Sequence, residues 1–128
     1  FDAVEPDNIE GFNENTGFPL TAADQLAYNI WFANEAHARG LSIGLKNDPD
    51  QVAGLLAYFD WALTEDCYFY GWCTEMSPFI TAGKPVFAAE YTDMPGMTLD
   101  AFCPSFATWQ FSGIRKQRDL NAWMQACP

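Results

Sequence analysis

The chain has 128 residues and carries 17 Asp and Glu against 6 Lys and Arg, which gives a formal net charge of −11 at pH 7. Apolar residues make up 49% and aromatic residues 16%, too many for a disordered chain, and the length suits one domain. The acidity excludes a nucleic-acid-binding protein, because a phosphate polyanion would be repelled, and favours neutral or cationic ligands. No apolar run approaches the roughly 20 residues that cross a bilayer.

The first predicted elements are a strand over Asp2–Asp7 and a long helix, separated by a polar stretch over 8–20. Thr21 to Asp24 resembles a capping box, with Asp in place of the usual Glu or Gln. The helix that it opens runs to Gly40 and has residues at three- and four-residue spacing along one face: Leu26, Ile30, Ala33 and His37.

The middle of the chain repeats the order of strand and helix. Leu41–Leu45 is typical of a strand that ends at Lys46 and Asn47, and Asp48-Pro49 is typical of a helix start. One face of that helix is apolar: Val52, Leu55, Leu56 and Phe59. Asp60–Glu65 is predicted to be the next strand.

Four more elements complete the chain after a predicted helix from Ser77 to Gly83. Pro85–Tyr91 is the clearest strand, with proline tolerated at its start. A short helix over Leu99–Trp109, a strand over Phe111–Arg115 and a helix after Asp119 follow. Aromatic residues on these regular elements are interpreted as core: Trp31, Phe59, Trp61 and Phe87.

Strand followed by helix, five times over, predicts an α/β fold of parallel βαβ units with right-handed crossovers. The connections that leave strands are long (8–20, 66–77 and 92–98), whereas those that enter strands are short. In such folds the loops after the carboxyl ends of the strands build the active site. No linker or repeat interrupts 1–128, which is predicted to be a single domain. An open flavodoxin-like α/β binding domain is an alternative architecture.

The cysteines are even in number and show no CxxC spacing: Cys67, Cys73, Cys103 and Cys127. With a single histidine in the chain, this pattern disfavours a structural metal site. Among three possible pairings we favour Cys67–Cys73 and Cys103–Cys127, each of which closes a local segment. Disulfides favour a secreted, extracellular protein; the alternative is four free thiols in a cytosolic one.

Charged residues end several predicted strands on the same face of the sheet: Glu5, Asp7, Lys46, Glu65 and Glu90. Charged groups at the ends of buried strands are costly unless they are paired or used. Four carboxylates on one rim therefore favour a functional site over ordinary ion pairs or helix caps. Paired carboxylates are typical of glycoside hydrolysis, in which one protonates the leaving oxygen while the other attacks the sugar or activates water.

The loop after Glu65 is rich in aromatic residues inside the predicted Cys67–Cys73 disulfide: Tyr68, Phe69, Tyr70 and Trp72. Flat aromatic faces can stack on pyranose rings, and four within five residues favour a sugar-binding rim. The alternative for any single one of them is ordinary packing.

Other chemistries are less well supported. His37 is the only histidine and lies on a predicted helix face, which disfavours a Ser-His-Asp triad. We therefore interpret His37 as structural. No GxGxxG or GxxxxGK[ST] motif marks a nucleotide site. Asp48-Pro49-Asp50 lacks the spacing of a calcium loop. We predict neither a metal nor a cofactor.

Two blocks, Val4–Asn8 (VEPDN) and Gly44–Asp48 (GLKND), carry a family resemblance. Together with 15–25 and the strand that ends at Tyr91, they resemble glycoside hydrolase family 114, and the resemblance runs over nearly the whole chain. It implies a TIM-barrel endo-α-1,4-polygalactosaminidase that cuts galactosamine-containing polysaccharide. Deacetylated galactosamine is cationic, which agrees with an acidic cleft.

The resemblance also implies residue roles. Asp7 and Glu65 match the proposed catalytic pair, with Asp7 as nucleophile and Glu65 as general acid/base if the family retains configuration. Their carboxyl groups should then lie about 5–5.5 Å apart. The expected sugar contacts are Glu5, Lys46, Asn47, Glu90 and Tyr91, and we add Tyr70 and Trp72 from the aromatic loop.

The length departs from that of a complete barrel, which takes about 250 residues. The first strand resembles the fourth of the barrel, so the chain is expected to supply strands 4–8. A partial barrel exposes strand edges and an apolar interior, which favours self-association. A catalytically incomplete carbohydrate-binding fragment is the alternative function.

Overall fold

The computed structural model describes all residues from Phe1 to Pro128. Its strands are β1 (Ala3–Val4), β2 (Ser42–Lys46), β3 (Trp61–Glu65), β4 (Val86–Tyr91), β5 (Ser112–Lys116) and β6 (Met124–Ala126). Its helices are α1 (Ala22–Ala38), α2 (Val52–Leu55), α3 (Cys67–Tyr70), α4 (Ser77–Thr81) and α5 (Leu99–Trp109). None of the helices is both long and apolar enough to cross a membrane.

The strands form one six-stranded sheet in chain order, β1 to β6. The first five are parallel, so each crossover moves to the adjacent strand in the same direction. The predicted parallel βα units are confirmed. A flavodoxin-like sheet reverses its strand order at a switch point, and this sheet does not, so that alternative is wrong.

The start of α1 follows the sequence prediction closely. The Thr21 side chain accepts a hydrogen bond from the Asp24 N–H, and the Asp24 carboxylate accepts one from the Thr21 N–H. This reciprocal pair satisfies two N–H groups that a helix start leaves free. The capping box is therefore confirmed, with Asp in the role of the usual Glu.

The apolar core lies between the helices and one face of the sheet. Ile43, Leu45 and Ala62 project from the strands into it and meet Phe59, Phe79 and Phe106, all fully buried. The opposite face of the sheet is partly open, and a cavity of about 350 Å³ lies on it, lined mainly by apolar residues of β3 to β6.

Two aromatic residues predicted as core are exposed. Phe87 is 41% exposed because its side chain points to the open face, where it meets Trp61 edge to face, and Trp61 is itself only partly buried. Trp31 is 54% exposed on the outer side of α1, where it stacks on Tyr28. Phe59 is buried as predicted. Aromatic content on a regular element thus did not determine which side of the element was covered.

The predicted helix after Asp119 is wrong, because this segment forms β6 antiparallel to β5. The Lys116 ammonium donates to the carbonyl oxygens of Asn121 and Trp123, which holds the turn between the two strands. A helix this short is marginal by itself, whereas pairing with β5 satisfies the backbone groups of a strand edge.

Both favoured disulfides are present, Cys67–Cys73 and Cys103–Cys127. The first closes the loop after β3, and the second ties the end of the chain to α5. The predicted pairing is confirmed.

Candidate active site

Five strands bring charged and polar side chains to a small pocket at their carboxyl ends. Glu5 follows β1, and the other four strands end in residues that line the pocket: Lys46, Glu65, Tyr91 and Lys116. The pocket measures about 170 Å³ and has Leu63, Ala89 and Ile114 below these groups. The alternation of the strands places these side chains on the open face of the sheet, away from the helices.

The Lys46 ammonium is the centre of this group. Its side chain is only 13% exposed, and its Nζ lies 3.0 Å from Asp7 Oδ1, 3.3 Å from Glu65 Oε2 and 3.8 Å from Glu5 Oε1. Because Asp7 and Glu65 share this cation, their nearest oxygens are no farther apart than the sum of the first two distances. The structure thus brings both predicted catalytic carboxylates to one point.

The shared lysine shifts the pKa values of its neighbours. Its hydrogen bond lowers the pKa of Asp7 and keeps that exposed carboxyl ionised. Burial, together with the charges of Asp7 and Glu65, raises the pKa of Glu5 despite the nearby lysine. Burial opposes the charged form of Lys46, but the hydrogen bond to Asp7 and the charges of Glu65 and Glu5 outweigh it and raise the pKa of Lys46.

Three neighbours fix the Glu65 carboxylate. The Tyr91 hydroxyl donates to Oε1 at 2.5 Å, and the Asn47 amide donates to Oε2 at 3.2 Å, beside Lys46. The Asn47 side-chain oxygen also accepts from the Glu65 N–H at 2.9 Å. Burial and the bond to Glu65 raise the pKa of Tyr91 far above its ordinary value, so Tyr91 remains a hydrogen-bond donor.

The turn after β2 presents Asn47 to Glu65 through two consecutive residues with left-handed backbone, Asn47 at φ 55° and Asp48 at φ 53°. Asp48 is fully buried beneath this turn. Its Oδ2 accepts from the Asn29 side chain at 3.2 Å, and its N–H donates to Glu10 at 3.1 Å. Burial, with the charges of Glu10 and Asp50, raises the pKa of Asp48 to about 7.

Asn29 and Asp48 were not predicted as part of the site. Asp48 was interpreted only as a helix start. The available signal was a polar stripe on the buried face of α1, in which Gln25 and Asn29 precede Ala33 at four-residue spacing. The Gln25 amide donates to Asn29 at 2.8 Å. A polar pair on an apolar helix face requires buried partners, and here they belong to the turn that supports the site.

Arg118 was also missed, because it lies between the strand predicted over Phe111–Arg115 and the helix predicted after Asp119, where no element and no site residue was predicted. Its guanidinium donates to Asp66 at 2.8 Å and to Asp93 at 2.7 Å, and stands 4.1 Å from the centre of the Tyr91 ring. A cation over this ring face is favourable and restricts the ring's movement. Arg118 therefore supports the Tyr91 ring and connects it to Asp66.

Three predicted sugar contacts lie apart from the lysine-centred group. Glu90 is fully buried on the helix-covered face of β4. Trp72 is partly buried and packs against the core, whereas Tyr70 is 65% exposed on the loop. Within that loop, Tyr68 packs against Phe102 and Phe106 in the core and does not form part of an exposed rim.

One cluster has the composition of a metal site: Cys67, Cys73 and Glu90, whose ligand atoms lie within 4.8 Å of one another. Both sulfurs are joined in a disulfide and offer no thiolate.

His37, interpreted as structural, is exposed on α1 and contacts Asp60 at 2.8 Å. Its position on the outer surface keeps it away from the pocket.

Comparisons with known proteins connect this geometry to a family. The model of glycoside-hydrolase family GH114 matches residues 1–128. The crystal structure of Aspergillus fumigatus Ega3 in complex with galactosamine superposes with a TM-score of 0.90 at 34% sequence identity. The match covers 98% of this chain and 54% of the Ega3 chain, so the chain spans about half the length of that relative. No curated protein sequence matches it. The similarity to a TIM-barrel glycoside hydrolase confirms the predicted partial-barrel fold.

Proposed function

Because the chain belongs to glycoside-hydrolase family GH114, we propose that it carries the catalytic carboxylates of an enzyme that hydrolyses α-1,4-linked, galactosamine-containing polysaccharide. The observation that carries this proposal is the shared contact of Asp7 and Glu65 with Lys46. Because the Lys46 Nζ lies 3.0 Å from Asp7 and 3.3 Å from Glu65, the nearest carboxylate oxygens are closer together than the roughly 6.5–9.5 Å typical of inverting enzymes, which favours a retaining mechanism. The complex of Ega3 with galactosamine supports the substrate class.

In this mechanism Asp7 is the nucleophile. Its lowered pKa keeps it ionised, and its side chain is 62% exposed, open to an arriving sugar. Glu65, the carboxylate held by Tyr91 and Asn47, must first take up a proton. Asp7 then attacks the anomeric carbon while Glu65 gives this proton to the glycosidic oxygen, and the bond to the leaving sugar breaks. The resulting glycosyl ester on Asp7 is hydrolysed by water, which Glu65 deprotonates, and both carboxyl groups return to their initial states.

The supporting residues act by orientation. Tyr91 and Asn47 each donate to one oxygen of Glu65 and so fix the orientation of its carboxylate. Lys46 compensates the charge of neighbouring carboxylates that would otherwise repel one another. Glu5 makes the longest of the three contacts with Lys46, at 3.8 Å, and we assign it to binding of a sugar ammonium group.

The acidity of the chain matches a cationic polymer. With a net charge of −11, the chain attracts deacetylated galactosamine electrostatically, and dissolved salt weakens this attraction. KM for the polymer should therefore rise as the salt concentration rises, and a KM independent of salt would argue against charge-based recognition. The two disulfides are typical of a secreted enzyme, the localisation that we propose.

The open face of the sheet supports self-association as part of this proposal. Phe87 is exposed there beside the apolar cavity of about 350 Å³. Apolar surface of this kind favours a covering partner, and a second copy of the chain is the partner always present. Sedimentation analysis at micromolar concentration should detect a dimer, whereas a monomer throughout would reject this part of the proposal.

The decisive experiment measures the release of oligosaccharides from partly deacetylated α-1,4-galactosaminan. Glu65→Gln should lower kcat by at least about 100-fold, because it removes the general acid/base. Glu75→Gln is the matched control, since Glu75 is exposed and its side chain makes no hydrogen bond or ion pair. Equal activity of Glu65→Gln and the unchanged chain would reject the assignment.

The role of each carboxylate can be tested separately. Reaction with a 5-fluoro galactosaminyl fluoride, followed by peptide mass spectrometry, should place the sugar on Asp7. An adduct on Glu65 would exchange the two roles. Product of inverted anomeric configuration would reject the retaining mechanism itself.

Coverage of only 54% of Ega3 favours a second candidate, a chain that binds the polymer without cutting it. Binding in a pull-down with insoluble polymer, combined with no product, would support this candidate. Release of product that is lost in Glu65→Gln would exclude it.

A further inference from the structure

Glu90 stands out because it is a fully buried carboxylate next to the site without facing it. It lies between Ala89 and Tyr91 on β4 and has no exposed surface. Successive side chains of a strand point to opposite faces, so Glu90 points to the helices while Tyr91 points to Glu65. No sugar reaches a side chain in this position.

The Glu90 carboxylate binds the loop that follows Glu65. Its Oε1 accepts from the Tyr68 N–H at 2.8 Å, and its Oε2 accepts from the Phe69 N–H at 3.3 Å. Both N–H groups belong to α3, a single turn whose own hydrogen bonds leave them free. The nearest sulfurs of the Cys67–Cys73 disulfide lie within 4.8 Å of the carboxylate.

The neighbours of Glu90 on β4, Ala89 and Tyr91, also bind the end of β3. The Asp66 N–H donates to the Ala89 carbonyl at 2.9 Å, and the Tyr91 N–H donates to the Asp66 carboxylate at 3.3 Å. The Tyr91 hydroxyl then reaches Glu65. The last three residues of β4 thus hold the segment from Glu65, where β3 ends, to Phe69 in α3.

We propose that Glu90 is a positioning residue, which fixes the segment from Glu65 to Phe69 against β4 and so orients the Glu65–Tyr91 pair for the reaction. This inference rests on the proposed function of Glu65. It replaces the expectation that Glu90 contacts the sugar. Its effect on catalysis is transmitted by the backbone of 66–69 and by Tyr91, and it requires no contact between Glu90 and substrate.

The ionisation of Glu90 gives the interaction a signature. Burial, together with the charge of Asp66, raises the pKa of Glu90 to about 7, and the two N–H donors only partly oppose this. Asp66 is itself paired with Arg118, and the neighbouring cysteines form a disulfide and do not titrate. Protonation converts one acceptor oxygen to a hydroxyl, so one of the two N–H bonds weakens below about pH 7.

The test uses Glu90→Gln, which preserves the shape of the side chain but replaces one acceptor oxygen with an NH₂ group. Glu75→Gln is again the control. Amide hydrogen exchange without substrate should show at least about tenfold less protection at Tyr68 and Phe69 in Glu90→Gln. In the unchanged chain this protection, corrected for intrinsic exchange and taken relative to that of amides in β3, should increase as the pH rises through 7, and in Glu90→Gln it should not.

Kinetics then separate positioning from binding. Glu90→Gln should lower kcat about tenfold and leave KM for a short oligosaccharide unchanged. A raised KM with unchanged kcat, or unchanged protection of both amides, would overturn the proposal. If Glu90→Gln does not fold, the pH dependence of protection in the unchanged chain decides the question. Failure of the unchanged chain to cut the polymer would reject the proposed function, and the exchange experiment would still show whether Glu90 holds the loop.

Discussion

Replacing Asp48 with asparagine tests whether the turn after β2 contains a buried, poorly compensated charge. Asp48 is fully buried, its Oδ1 has no hydrogen-bond partner, and the nearby charges of Glu10 and Asp50 are also negative. Asparagine has the same shape and retains an oxygen that can accept from Asn29. The substitution therefore removes the charge while leaving the packing of the turn in place.

The magnitude follows from the shift of the pKa of Asp48 from 3.8 to about 7. The folded chain binds this proton more tightly than the unfolded chain, so the free energy of unfolding falls as the pH rises between about 4 and 7. Each unit of pKa corresponds to about 1.4 kcal/mol, so the loss is on the order of 4 kcal/mol at most. The raised pKa values of Glu10 and Glu90 act in the same direction, so Asp48→Asn removes only part of the total loss.

Urea denaturation at pH 5 and pH 8, followed by circular dichroism, measures this effect. The unchanged chain should lose about 2–4 kcal/mol between the two pH values, and Asp48→Asn should lose markedly less. Asp2→Asn is the control, because Asp2 is an exposed aspartate near the start of the chain. An identical pH dependence in Asp48→Asn and the unchanged chain would refute the reasoning.

Three further substitutions test the site and the fold. Tyr91→Phe removes the donor to Glu65 and should lower kcat about 10- to 100-fold, whereas the exposed Tyr28→Phe should not; equal kcat values would show that this hydrogen bond does not matter. Lys46→Met removes the cation that lowers the pKa of Asp7, so this pKa should rise. The acidic limb of the kcat/KM profile should then move to higher pH. An unmoved limb would contradict the assignment of Asp7. Gly113→Ala places a Cβ 2.3 Å from the Phe106 ring and 2.9 Å from the Cys127 sulfur. This overpacking should lower the free energy of unfolding by about 1–3 kcal/mol, measured by urea denaturation. An unchanged urea midpoint would mean that the core adjusts to the added methyl group.

Several features of the site were predictable because they depend on neighbouring residues in the chain. Lys46 and Glu65 end predicted strands, and parallel strands bring their carboxyl ends to one edge. The disulfide between Cys67 and Cys73 was predictable because the two residues are only six positions apart and close a short loop. Glu90 was predicted on one rim with Glu65 but faces the helices, because a difference of one residue along a strand moves a side chain to the other face.

Other contributors were hidden because their partners are distant in sequence. Asn29 reaches Asp48 across 19 positions, and Arg118 reaches Asp66 across 52. Neither contact has a local pattern of its own. A polar residue on a helix face indicates that it needs a buried partner, but it does not identify which one.

By itself, the amino-acid sequence determined the alternation of parallel strands and helices, the two disulfides, the acidic character of the rim and the family. These follow from local periodicity, spacing, composition and motifs, which are properties of short segments. Only the tertiary structure decided that one lysine gathers Asp7, Glu65 and Glu5, that Glu90 faces the helices, and that the last segment is a strand. Each of these depends on which face of a strand a side chain occupies and on contacts between remote segments, and both are set when the sheet and its helices pack together.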